Sequence, residues 1–223
     1  IASLSVTVLM GWLPLSEALR GFSSPVVWLV LSAFFISKGM TVTGLGQRIG
    51  LIFIYYFGQT PLRLAYAITL AEILIAPTIP SVTARSAGVI YPIVTSLSRS
   101  LGSEPDQGHS AKKIGEFLTL VAFQSTVVTS AMYLTAMAAN PLLATVTNQL
   151  LGQELVTFSS WLQAAILPGL VSCFLIPLVC AYLAPPSLED VQGAKEFALS
   201  QLKDMGRIKF AEVLMLLVMC LLL

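Results

Sequence analysis

Three polar side chains, Ser81, Thr83 and Arg85, lie between two apolar runs, where a membrane helix is expected to be most apolar. The segment that carries them, residues 76–88, is broken by two prolines and ends in a glycine. In hydrocarbon, an unpaired polar group costs several kcal/mol unless protein or a water-filled cavity satisfies it. The segment therefore predicts a binding site inside a membrane protein.

The overall composition is also that of a membrane protein. Hydrophobic residues make up 56% of the 223 residues and charged residues only 10%, with a mean hydropathy of +0.86. A soluble domain carries about 25% charged residues. The net charge of +1 argues against nucleic acid as a partner, which leaves membrane lipid as the expected surroundings. The chain begins and ends inside apolar runs, so we expect it to be a fragment of a longer protein.

Residue types that would support covalent chemistry are sparse. Cys173, Cys180 and Cys220 lie in apolar runs without C-x-x-C spacing, which is typical of small packing residues. His109, the single histidine, lies in a polar loop, and Glu72 is the one acid that we place within an apolar helix. An intramembrane enzyme needs a base or metal ligand beside a nucleophile, so the sequence predicts a protein that is not an enzyme.

Apolar runs and helix breakers predict an all-α polytopic membrane protein. The two arms beside the polar tip are each about 15 residues long, too short to cross comfortably, and so predict a re-entrant helical hairpin. Lys and Arg then fall almost entirely on one side, which makes that side cytoplasmic. The predicted segments are scaffold-type transmembrane helices with an interfacial helix (1–60), the re-entrant hairpin (61–101), an interrupted transmembrane helix (111–150), a transmembrane helix (158–184), a cytoplasmic loop (185–209) and the start of a truncated second repeat (210–223).

Two interrupted polar segments favour a ligand site, with helix packing as the alternative. Ser and Thr commonly form hydrogen bonds between membrane helices, the role they would have in a structural or assembly protein. Packing alone, however, does not need a proline at a hairpin tip. Broken helices expose amides and positive dipole ends that bind carboxylates, and their unwound carbonyls hold small cations.

Arg85 has two interpretations. Its guanidinium is either a fixed counter-ion for an anionic substrate or the partner of Glu72 in an ion pair that holds the hairpin. We favour the counter-ion, because a buried arginine without an anion is costly.

The sequence P-S-V-T-A-R at residues 80–85 resembles the P-S-N-T-A-R hairpin tip of the divalent anion:sodium symporter family. The resemblance is strongest to the branch of plastid 2-oxoglutarate/malate translocators and bacterial citrate/succinate and tartrate/succinate antiporters. Three further stretches agree with that branch, in order along the chain: residues 35–49, 88–93 and 123–141.

The resemblance implies one half of a transporter built from two inverted repeats, each with a re-entrant hairpin. It also implies a transport domain that moves like an elevator against a scaffold, and a homodimer when the protein is full length. The expected function is exchange or sodium-coupled symport of C4 and C5 dicarboxylates such as malate, succinate and 2-oxoglutarate. The expected location is a bacterial inner membrane or a plastid inner envelope.

The same resemblance assigns the site. The hairpin tip contacts a substrate carboxylate, with a helix break at Thr129–Ser130 opposite, and the expected substrate-binding residues are Ser81, Val82, Thr83, Arg85, Thr129, Ser130, Thr135 and Asn140. Sodium is the candidate coupling ion, with no other cofactor expected, and its expected ligands are Ser81, Val82, Thr129 and Ser130. Val82 replaces the family's Asn, which removes one amide ligand. Exchangers of this branch need not use sodium, and we hypothesise that Arg85 supplies charge in its place.

Overall fold

Helices dominate the computed structural model, which describes residues 2–105, 108–188, 191 and 193–222. The helical chain is interrupted at residues 79–81, which we call the hairpin tip; the re-entrant course of the hairpin stays a prediction. Before the tip the helices are α1 (Ala2–Leu9), α2 (Leu15–Ala18), a 3₁₀ turn (Arg20–Ser23), α3 (Pro25–Thr43), α4 (Leu45–Phe57) and α5 (Pro61–Ile75), which a 3₁₀ turn (Ala76–Thr78) extends. After the tip they are α6 (Val82–Arg85), a π-helical turn (Ser86–Ile90), α7 (Tyr91–Ser100), α8 (Gly108–Ala111), α9 (Gly115–Met132), α10 (Ala139–Leu151), α11 (Phe158–Leu183), α12 (Gly193–Met205) and α13 (Phe210–Leu222). The described ranges contain no strand, so the all-α prediction is confirmed for them.

Among the described residues, two helices are long and apolar enough to cross a membrane, Pro61–Thr78 and Phe158–Leu183. The second, α11, has 26 residues, and at 1.5 Å per residue it extends about 39 Å, more than the hydrocarbon thickness of about 30 Å. It begins with a capping box between Thr157 and Ser160, which satisfies amides that the helix itself leaves unpaired.

The buried core lies where α5, α7 and α11 pack against α9. Leu64 of α5, Leu97 of α7, and Phe117 and Leu118 of α9 have at most 1% of their surface exposed. Helix α4 packs against α5 and α7 as well as against α12. This arrangement places the break between α5 and α6 beside the C-terminal end of α9.

The predicted helix break at Thr129–Ser130 is wrong in position. Helix α9 continues through both residues to Met132, and the chain leaves it at Tyr133, with φ −115° and ψ 136°. The hydroxyls of Thr129 and Ser130 donate to the Thr126 carbonyl, at 3.2 and 2.6 Å. Because these side chains are satisfied within their own helix, they do not need a break to pair them.

Helix α11 approaches the end of α9 closely because residue 169 is a glycine. A Cβ on Gly169 would lie 2.7 Å from the Cγ of Met132, the last residue of α9. Both residues are buried. The glycine therefore sets the spacing of α11 from the point where α9 ends.

We expect Gly169→Val to destabilise the protein by about 1–3 kcal/mol, because the added methyl groups would overpack against Met132. Ala164→Val is the matched control, since it adds a β-branched side chain at an exposed position of the same helix. Thermal unfolding of the full-length protein in detergent would check this. Equal melting temperatures for the two variants would contradict the close approach.

Candidate binding site at the hairpin tip and the end of α9

The interruption at residues 79–81 lies between the 3₁₀ turn that ends at Thr78 and helix α6. Ile79 is extended, with φ −121° and ψ 94°, because the ring of Pro80 disfavours a helical conformation in the residue before it. Ser81 is the N-cap of the next helix, and its Oγ accepts a hydrogen bond from the Ala84 amide at 3.2 Å. Helix α6, the π-helical turn and α7 follow without a gap, so a helix over residues 82–100 begins at the tip.

The tip presents its polar groups at an accessible surface. Ser81 and Val82 are half-buried and Thr83 is exposed. In the first turn of a helix the amides precede the first intrahelical hydrogen bond, so those of Val82 and Thr83 are available to a ligand. The positive end of the helix dipole lies at the same place and favours an anion there.

Arg85 lies behind this surface and forms a buried ion pair with Glu72. The Nε of Arg85 donates to the two carboxylate oxygens of Glu72, at 3.0 and 3.4 Å, and both side chains have 0% exposure. Thr126 donates its hydroxyl hydrogen to the same carboxylate. The ion pair, one of the two alternatives that the sequence left open, is thus formed, and contact between Arg85 and a substrate stays a prediction.

The other nitrogens of Arg85 join the tip to the end of α9. Nη1 donates to the carbonyl of Ile79 in the tip, at 2.9 Å, and to the carbonyl of Ala136 beyond α9, at 3.0 Å. Nη2 donates to the Ser130 hydroxyl at 2.6 Å and to the Thr126 carbonyl at 3.4 Å. The guanidinium therefore satisfies carbonyls from both interrupted segments. These carbonyls lie beside a fully buried side chain, where water does not reach them.

Asn140 and Thr135 complete the junction. The Nδ2 of Asn140 donates to the carbonyls of Ser130 and Tyr133, at 2.8 and 3.0 Å. Helices leave their last carbonyls without an intrahelical donor, so Asn140 closes the end of α9. The hydroxyl of Thr135 donates to the carbonyl of Pro77 at 2.8 Å, which is a second tie between the interruption and the hairpin.

The predicted site residues fall into two groups. Ser81, Val82 and Thr83 form the accessible tip, whereas the junction behind it contains Arg85, Ser130, Thr135 and Asn140. Thr129 is fully buried and its hydroxyl bonds within α9. Of the expected sodium ligands, Ser130 already accepts a hydrogen bond from a cationic group, and sodium binding by the set stays a prediction.

Sequence reasoning missed Thr126 as a hydrogen-bond partner of Glu72. It also missed the contact between Ser125 of α9 and Thr69 of α5, whose hydroxyl oxygens lie 3.0 Å apart where the two helices meet. Ser125 and Thr126 stand out in the sequence as adjacent polar residues in an apolar run, but their partners depend on how α5 packs against α9. The carbonyls of Ile79 and Ala136 carry no sequence signal at all.

Comparison with known proteins identifies the family. A family model described as the sodium:sulfate symporter transmembrane region matches residues 1–223. The chain belongs to this family. The membership confirms the resemblance seen at the hairpin tip, and it places the chain in a family of membrane transport proteins.

The relatives in this family include bacterial and chloroplast transporters. The putative malate transporter YflS of Bacillus subtilis is 45% identical over 223 residues, covering 100% of this chain and 46% of its own length. The chloroplastic dicarboxylate transporter 1 of Spinacia oleracea is 40% identical over 206 residues, 92% of this chain and 36% of that protein. The L-tartrate/succinate antiporter of Escherichia coli is 35% identical over 192 residues, which cover 86% of this chain and 39% of that protein. The chain thus spans less than half the length of these relatives.

A double-mutant cycle tests the buried pair. We expect Arg85→Gln and Glu72→Gln each to lower the free energy of unfolding by about 3–5 kcal/mol, because each leaves an uncompensated buried charge. The double variant should lose less stability than the sum of the two single losses, since the effects of substitutions at residues in contact are not additive.

The matched control is the pair of Arg99 and Glu104, which lie 3.5 Å apart with side chains 56% and 42% exposed. Its coupling should be about 0–1 kcal/mol. Unfolding of the full-length protein in detergent measures both cycles. Additive losses at Arg85 and Glu72 would show that the pair is not the stabilising contact.

Proposed function

We propose that these residues belong to a dicarboxylate exchanger and that the tip, Ser81–Thr83, binds one carboxylate of the substrate. The observation that carries the proposal is an accessible helix N-terminus with a fully buried cation behind it. Relatives that are named malate, dicarboxylate and tartrate/succinate transporters support the substrate class. In a dicarboxylate of this class, both ends need a site, and we assign the second carboxylate to parts of the protein outside these residues.

Binding at the tip needs no covalent chemistry. A carboxylate oxygen accepts hydrogen bonds from the amides of Val82 and Thr83 and from the hydroxyls of Ser81 and Thr83. The Oγ of Ser81 already accepts from Ala84, which leaves its hydrogen to donate. The helix dipole adds positive potential at the tip, whereas the charge of Arg85 is largely balanced by Glu72.

We also propose that Arg85 takes the place of a coupling cation. The oxygen atoms around its guanidinium are of the kinds that hold sodium where helices are broken: the Glu72 carboxylate, the carbonyls of Ile79 and Ala136, and the Ser130 hydroxyl. A permanent charge at this point favours exchange of one dicarboxylate for another without sodium. Sodium-coupled symport, with sodium at Ser81, Val82, Thr129 and Ser130, is the competing mode.

The proposed function requires the hairpin to move within the protein. Because Arg85 and Thr135 tie the tip to the segment after α9, the hairpin and α9 would move together. Alternating access would follow if this unit moves like an elevator against the rest of a homodimeric protein. The helix-packing alternative, a structural or assembly protein, predicts no thermal stabilisation of the full-length protein by malate or succinate.

Removing a tip hydroxyl should weaken dicarboxylate binding. A hydrogen bond to a charged group is worth about 1.5–3 kcal/mol, so Ser81→Ala and Thr83→Ala should each raise the KM for malate by about tenfold or more. Thr95→Ala, at a half-buried hydroxyl in α7, is the control and should leave KM unchanged. Malate uptake by proteoliposomes measures the KM of each variant.

Strong inhibition of the wild-type protein by acetate or lactate would speak against a dicarboxylate site.

The charge of Arg85 should be essential for exchange. We expect Arg85→Gln to abolish malate/succinate exchange, and wild-type exchange to run equally fast in sodium and in choline. Melting temperature and purified yield report separately on folding. Unchanged exchange by folded Arg85→Gln, or a strict need for sodium in the wild type, would overturn the role of Arg85 as a built-in cation.

A further inference from the structure

A second buried ion pair lies away from the tip, between Arg48 of α4 and Glu212 of α13. Nε and Nη2 of Arg48 donate to the two carboxylate oxygens of Glu212, the second at 3.2 Å. Arg48 is 7% exposed and Glu212 is 2% exposed. Glu212 also corrects the sequence interpretation, because it is a second acid within an apolar helix.

The same arginine reaches the connection between α12 and α13. Nη1 of Arg48 donates to the carbonyl of Gly206, at 3.2 Å. One oxygen of Glu212 also accepts from the Lys209 amide, at 3.4 Å, which holds the start of α13. One side chain thus fixes both the end of α12 and the beginning of α13 against α4.

The Arg48–Glu212 pair lies where two sharp connections between helices meet, one between α3 and α4 and one between α12 and α13, which we call the corners. Gly44 joins α3 to α4 with φ 78°, and Gly206 follows α12 with φ 70°. Residues other than glycine rarely adopt this conformation, so each connection turns at its glycine. A Cβ on Gly44 would lie 3.3 Å from the Cε of Met205, the last residue of α12, which shows that the two corners touch.

The helices on either side of the corners are paired as well. Helix α3 packs against α13, where a Cβ on Gly39 would lie 2.8 Å from the Sδ of Met215. Helix α4 packs against α12, where the Nζ of Lys195 lies 5.1 Å from the ring centroid of Tyr55. The α4/α12 pair contacts the hairpin helices α5 and α7. The corners therefore connect one helix pair, α3/α13, to a second pair that contacts the hairpin, and α3/α13 also touches the 3₁₀ turn Ala76–Thr78 of the hairpin.

We infer that Arg48 and Glu212 are positioning residues that make the two corners a single hinge between the α3/α13 pair and the hairpin. A buried ion pair adds little net stability compared with apolar side chains, so its effect here is to specify one geometry. With the pair formed, both connections turn together. Without it, each glycine corner turns independently, and the movement of the hairpin loses a fixed axis. The inference rests on the proposed transport function.

The test separates turnover from binding in the full-length protein. We expect Arg48→Ala to lower the Vmax of malate exchange at least tenfold while KM and the calorimetric Kd for malate stay within twofold. The double variant Arg48→Glu/Glu212→Arg should recover much of the Vmax, because it restores an ion pair at the same place. Arg99→Ala, in an exposed ion pair with Glu104, is the matched control and should behave as wild type.

A wild-type Vmax in Arg48→Ala, or a loss of Vmax with an equal loss of malate binding, would overturn the hinge. If Arg48→Ala does not fold, Arg48→Lys carries the test, because it keeps the charge but loses the two-point contact.

A second readout does not depend on transport. Spin labels at Val42 of α3 and Phe123 of α9, both exposed, report the distance between the two parts. We expect Arg48→Ala to broaden the distance distribution, and an unchanged distribution would contradict the hinge. Absence of exchange by the wild-type protein would instead remove the proposed function while leaving this readout intact.

Discussion

The guanidinium of Arg85 is the contact on which the rest of the site depends. It is fully buried, and it donates hydrogen bonds to Glu72, to the broken backbone of the hairpin tip and to the segment that follows α9. An interrupted helix in hydrocarbon exposes carbonyls and amides that no water can satisfy. A single planar cation with several donors solves this problem for two interruptions at once, and thereby holds them against each other.

This arrangement divides the hairpin tip into a supporting side and an accessible side. The supporting side is hydrogen-bonded, because Asn140 donates to the carbonyls of the residues that end α9. Arg85 donates to the carbonyl of Ala136, and Thr135 donates to that of Pro77. The accessible side, by contrast, begins a helix whose first amides have no intrahelical acceptor. Rigid support behind an open helix N-terminus suits the proposed carboxylate site, since the ligand does not have to order the site when it binds.

Much of this fold could be predicted from the sequence where local chemistry decides it. Pro80 forces Ile79 out of the helical region, as the predicted break requires. The next helix already begins at its N-cap Ser81, however, so residues 82–88 are helical and not part of the broken tip that the sequence predicts. The break that the sequence predicts at Thr129–Ser130 lies too early in the chain, because both residues are polar but satisfied within the helix. The partner of Arg85 depended on how α5, α6 and α9 are oriented, which a spacing of 13 residues across a break does not fix. The pairing of Arg48 with Glu212 joins positions 164 residues apart and left no pattern to read.

The most direct test of the account is an experimental structure of the full-length protein with malate or succinate bound. It should show one substrate carboxylate within hydrogen-bonding distance of the Val82 and Thr83 amides, with the Arg85–Glu72 pair intact behind it. A substrate bound elsewhere, or a continuous helix through residues 77–88 with Arg85 no longer in contact with Glu72, would contradict the account.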